Sequence, residues 1–98
     1  MIHICQYLCP QRHCTIGAAY EPAEVKAEKI EQDLLNVFKT GLVNPWCGIC
    51  GSRELHFEHG ETRFTTIEEA QGSLRAMEAA NMASRMMIDE VKKRARNN

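Results

Sequence analysis

Four of the five cysteines in this 98-residue chain fall in two short loops, Cys9-Pro10-Gln11-Arg12-His13-Cys14 and Cys47-Gly48-Ile49-Cys50-Gly51. This pairing constrains the fold more than any other feature. A chain this short buries only about 60 to 65% of the surface its unfolded form exposes, so its core alone gives thin stability. Only 6% of residues are aromatic, so a staple is expected, and the cysteines are its source. No apolar run reaches the ~18 residues that span a bilayer, and the N-terminus lacks the pattern of a secretory signal. The expected compartment is therefore the reducing cytoplasm, where closely spaced cysteines are more often metal ligands or redox centres than structural disulfides.

The flanking residues place both loops. Ile2 to Leu8 is a short apolar run followed by Pro10 and reads as a buried strand, with Cys5 serving as a small hydrophobe. Thr15 to Tyr20 reads as the return strand, which makes Cys9 to Cys14 a hairpin turn. The small residues Gly17, Ala18 and Ala19 imply that another element packs closely over it. Pro22 suits the first turn of a helix that continues through Ala27, Ile30, Leu34 and Val37 and stops at Gly41. Leu55 and Phe57 alternate with His56 and Glu58 as a strand, Gly60 marks a turn, and Arg63 to Thr65 is the expected return. Thr66 with Glu69 has the form of a capping box that opens a long helix.

Thiolates suit zinc, which is borderline soft and closes a tetrahedron without redox cost, and two short cysteine turns can supply two ligands each. Cys47-Gly48-Ile49-Cys50-Gly51 has the C-x-x-C-G shape of a zinc knuckle, and Cys9 to Cys14 is a wider version. On these two loops and their strands the chain resembles zinc-ribbon domains, in which two knuckles on β-hairpins share one metal. It departs from them in the wide first knuckle and in the helix between the knuckles. The resemblance implies a small antiparallel sheet and one zinc held by Cys9, Cys14, Cys47 and Cys50; with the helices read from the spacing, the expected fold is α+β, with one packed helix and a long C-terminal helix. Four thiolates and one divalent ion contribute -2, which Arg12, His13 and Arg53 lie close enough in sequence to offset. Cys5, His3, His56 and His59 remain alternative ligands.

Three other chemistries share parts of this pattern. Trp46-Cys47-Gly48-Ile49-Cys50 is similar to the thioredoxin active-site string, but that motif follows a strand and opens a helix, whereas this one follows a helix and leads to a strand. Cys47 to Gly51 followed by Glu58-His59 looks like the start of an HNH nuclease, yet the next helix offers no histidine ligand. His56-Phe57-Glu58 is similar to the H-x-E of zinc deaminases, in reversed order relative to its cysteine pair. Four cysteine ligands would leave no open coordination position, so no enzyme activity is expected.

The net charge of -1 conceals a gradient: -2 over residues 67–84 and +3 over 85–98. Only the tail Lys92-Lys93-Arg94-Ala95-Arg96 is basic enough to meet phosphate. A nucleic-acid module using Arg12, His13, Arg53 and this tail is therefore the secondary expectation. The leading one rests on the helix from residue 67. Ile67, Ala70, Leu74, Met77, Asn81, Ser84, Ile88, Val91 and Ala95 recur at intervals of three and four, longer than a body of residues 1–65 can cover. Asn81 resembles a register-fixing polar position of a coiled coil, and methionine favours adaptable surfaces. Met77, Asn81, Met82, Met86, Ile88 and Val91 are thus the expected partner-binding or self-association surface of residues 66–98. The whole reads as a cytoplasmic, non-enzymatic zinc adaptor or regulator of a larger machine, of the kind mobile elements encode.

Overall fold

A computed structural model describes residues 1–97, with side chains described through residue 84. The chain is α+β and runs β1 (His3–Leu8), β2 (Cys14–Tyr20), α1 (Ala27–Lys39), β3 (His56–Glu61) and α2 (Ile67–Asn97). The sheet is antiparallel with order β2-β1-β3. β1 is central and pairs along its full length with both neighbours.

Alternation along β1 gives the sheet two apolar faces. On one, Cys5, Tyr7, Ile16 and Tyr20 pack with Leu34 of α1, flanked by Leu55, Phe38 and Phe57. Burial raises the Cys5 thiol pKa, as suits a core residue. On the other face, Ile2, Leu8, Cys14 and Ala19 pack with Ala70 and Leu74 of α2. The register slips by one between Tyr7 and Leu8, so Tyr7 faces Ile16 and Leu8 faces Cys14. Thr15 is left as the extra residue of a β-bulge. This shift is what turns Cys14 onto the α2 face.

Three expectations are corrected. Pro22 does not open α1: residues 21–25 form a separate turn closed by Val25 N–H on the Glu21 carbonyl, and extended Lys26 (ψ 146°) interrupts before Ala27. Gly60 is not a turn but lies within β3, opposite Ile4. Arg63 to Thr65 is not a return strand, because β3 takes β1 as its partner. Those residues instead cross to α2, with the Thr62 N–H and hydroxyl donating to the Ile2 carbonyl. The Thr66 hydroxyl then accepts from Glu69 N–H, which is one half of the expected capping box.

α2 lies close over β2. A Cβ on Gly17 would stand 2.8 Å from Leu74 Cδ2 and 3.0 Å from the Cys5 carbonyl oxygen. The Gly17 N–H, on the outer edge of β2, donates to Glu78 Oε1 at 2.9 Å. The 31 residues of α2 span ~46 Å at 1.5 Å per residue and account for the long dimension of a molecule measuring 56 × 24 × 22 Å. Among the described residues no helix is long and apolar enough to cross a membrane.

Because Leu74 is buried and the Cys5 carbonyl is fixed in the β ladder, Gly17→Ala must push α2 off the sheet. A loss of about 1–3 kcal/mol in denaturant unfolding is expected, from overpacking.

Candidate metal centre

The turn between β1 and β2 folds back on the sulfur of Cys9. Arg12 N–H donates to the Cys9 carbonyl at 2.8 Å, Cys9 N–H to the His13 carbonyl at 3.2 Å, and His13 N–H to Cys9 Sγ at 3.3 Å. Arg12 takes a left-handed φ of 67°, which costs a non-glycine residue roughly 1–2 kcal/mol. Its guanidinium is held by both carboxylate oxygens of Glu58 on β3, at 3.1 and 2.8 Å. That fork lowers the Glu58 pKa and ties the strained turn to the sheet.

The second loop has the same logic. Cys47 N–H donates to the Ser52 carbonyl and Gly51 N–H to the Cys47 carbonyl, with Gly51 at φ 75°. The freed Ile49 and Cys50 N–H groups point at Cys47 Sγ, at 3.4 and 3.5 Å. Gly51 supplies the positive φ that the C-x-x-C-G pattern predicts.

The two loops bring Cys9, His13, Cys47 and Cys50 together, with one ligand atom from each and all four within 4.8 Å of one another. His13 Nδ1 lies 3.4 Å from Cys9 Sγ and 3.7 Å from Cys47 Sγ. A tetrahedral ion with bonds of ~2.3 Å to sulfur and ~2.05 Å to nitrogen requires N···S edges of about 3.6 Å, so these donors fit a metal ion. Three thiolates and a divalent ion contribute -1, less than the -2 of the four-cysteine expectation.

Cys14 is therefore replaced by His13. The bulge at Thr15 turns Cys14 into the apolar cluster under α2, where it is 2% exposed. Burial pushes its thiol pKa up to about 12, with the Glu78 carboxylate adding to the shift. A C-x3-H spacing was present in the first loop, and only the bulge, which depends on pairing with β1, decides between the adjacent residues.

Asn81 is the second correction. Expected at a register-fixing position of the partner-binding surface, it is 2% exposed and faces the chain's own cluster. Its Oδ1 accepts from Gly48 N–H at 2.7 Å, and its Nδ2 donates to the Cys14 carbonyl and Cys47 Sγ at 3.3 and 3.4 Å. Burial by itself would raise the Cys47 pKa. The N–H groups of Cys50 and Ile49, together with the Cys50 and Asn81 side chains, outweigh it and lower the value to about 6. Cys47 is thus ready as the thiolate a metal binds.

The other expected residues lie elsewhere. Cys5 is in the α1-facing core, His3 packs against Tyr20, His56 is 3.4 Å from Glu58, and His59 packs on Phe57. Met77 and Met82 are exposed, at 39% and 46%. Met86, Ile88 and Val91 fall outside the described side chains, as does the basic tail. No family model, curated protein or solved structure matches this chain.

His13→Ala should weaken metal binding by more than about tenfold, whereas Cys14→Ala should leave one metal per chain, as metal analysis after dialysis would read. Asn81→Leu leaves the Gly48 N–H and Cys14 carbonyl without their partner. It should cost about 2–5 kcal/mol in thermal or denaturant unfolding.

Proposed function

We propose that Cys9, His13, Cys47 and Cys50 hold one structural zinc ion, and that the protein acts without catalysis as an adaptor or regulator, engaging another protein through α2. The convergence of four donors from two loops within 4.8 Å carries this reading. Three thiolates and an imidazole select a borderline-soft ion such as zinc over magnesium or calcium, which take oxygen ligands. Four protein ligands complete the tetrahedron and leave no position for the water a catalytic zinc activates. A reducing cytoplasm suits the three thiols.

The adaptor role is supported by α2. Its inner face is committed to the sheet through Ala70, Leu74 and Asn81, while Met77 and Met82 remain exposed on a helix about twice as long as the body is wide. Flexible, polarizable methionines suit an adaptable protein contact. Such a contact would be less sensitive to salt than one made to phosphates.

Native mass spectrometry of protein purified without chelator should find one zinc per chain. Cys9, Cys47 and Cys50 should react slowly with a thiol reagent until a chelator is added, and chelation should melt the two loops. A metal-free chain indifferent to chelator overturns the zinc reading. If α2 mediates self-association, the same spectrum shows a zinc-loaded oligomer that Met82→Glu shifts to monomer.

A further inference from the structure

The three thiol donors of the centre are not equivalent. Cys9 and Cys47 are fully buried, whereas Cys50 is exposed. Cys9 Sγ accepts from His13 N–H, and Cys47 Sγ accepts from three groups, the N–H of Ile49 and Cys50 and the Asn81 amide. An electrophile arriving from solvent therefore meets Cys50 first. Its nearest sequence partner, Cys47, lies in the same loop, with the sulfurs within 4.8 Å. Cys47 and Cys50 are three residues apart in one loop, whereas Cys9 belongs to the other, so a Cys47–Cys50 bond closes within a single loop and a Cys9–Cys50 bond would cross-link two.

We propose that Cys50 is a site of oxidative modification: a peroxide oxidises its sulfur, Cys47 closes a disulfide with it, and the zinc ion is released. This inference rests on the zinc reading above. In the first step the Cys50 thiolate attacks a peroxide oxygen, the O–O bond breaks, and hydroxide leaves, giving a sulfenic acid. In the second, the Cys47 thiolate attacks the Cys50 sulfur, the S–S bond forms, the S–O bond breaks, and a second hydroxide leaves. Two electrons pass from the sulfurs to the peroxide. Cys9 and His13 alone cannot retain the zinc, which departs as the free ion. The Asn81 bonds to Gly48 N–H and the Cys14 carbonyl use no sulfur, so α2 keeps its hold while the β1–β2 turn is uncoupled from the second loop.

The test treats the zinc-bearing full chain with hydrogen peroxide, follows zinc with a chromophoric indicator, and maps disulfides by mass spectrometry. The expected result is release of one zinc per chain together with loss of two hydrogens mapped to Cys47 and Cys50, reversed by a thiol reductant and zinc. Cys50→His keeps a ligand but removes the oxidisable sulfur, and it should retain its metal at the peroxide dose that empties the wild type. Zinc retained by the wild type at every dose, or released with Cys9 oxidised and Cys50 intact, overturns the inference while leaving the zinc reading standing. A chain that carries no zinc before peroxide is added overturns both. If Cys50→His fails to bind metal, the wild-type disulfide map decides alone.

Discussion

The carboxamide of Asn81 is where three separated parts of this chain meet. It accepts from the loop that carries Cys47 and Cys50, and it donates both to the carbonyl at the start of β2 and to the Cys47 sulfur. A buried amide has two donor hydrogens and one acceptor oxygen to satisfy, and all of these partners belong to residues that position the metal cluster. Through it, the second loop is tied to the start of β2 as well as to α2. With it, the loop is docked on α2 before any metal arrives, and the Cys47 sulfur has part of its charge already compensated.

The choice of ligands depends on a single irregularity in the sheet. In an unbulged hairpin the side chains of β2 would alternate in step with those of β1 as far as the turn. The extra residue at Thr15 reverses that alternation at the end nearest the cluster. Cys14 is thereby moved into the apolar layer beneath α2, and His13, the residue before the strand, is left to turn its Nδ1 toward Cys9 and Cys47. The exchange suits both positions. A thiol is a good small core residue, and an imidazole at the mouth of the site lowers the charge the centre must carry. The strained Arg12 just before it is anchored from outside by Glu58 of β3, so the third strand also helps hold the first loop.

Much of this was legible in the sequence. The apolar runs of β1 and β2, the i, i+3, i+4 pattern of α1, the Thr66 cap, the long α2 and the C-x-x-C-G knuckle are all set by residues within a few positions of one another. The close packing over Gly17 was signalled by three small residues in a row. What could not be read depends on partners far along the chain. β3 pairs with β1 across roughly fifty residues, so the expected local hairpin around Gly60 was displaced by pairing with a distant strand. The bulge is invisible without the pairing that defines it. Asn81 occupies an apolar-stripe position, and sequence spacing alone does not say whether such a position faces another helix or, as here, the chain's own loop 33 residues away.

The order of contacts along α2 gives the helix a definite axial position. Ala70 and Leu74 enter the core, Glu78 takes the Gly17 N–H at the sheet edge, and Asn81 reaches the metal loop, so successive turns over ~17 Å change from apolar to polar attachment. Apolar packing is non-directional and would tolerate sliding along the small, flat side chains of β2. The hydrogen bonds at Glu78 and Asn81 do not tolerate it, because a shift of even one residue would leave buried donors and acceptors unpaired. Burial raises the Glu78 carboxyl pKa despite the Gly17 N–H that opposes the shift, so this attachment carries a cost accepted for its direction. The polar end of the docked segment is the end nearest the cluster, and from there the backbone continues as helix to Asn97. The amide that holds the loop of Cys47 and Cys50 therefore also sets the axial position from which that continuation leaves the sheet.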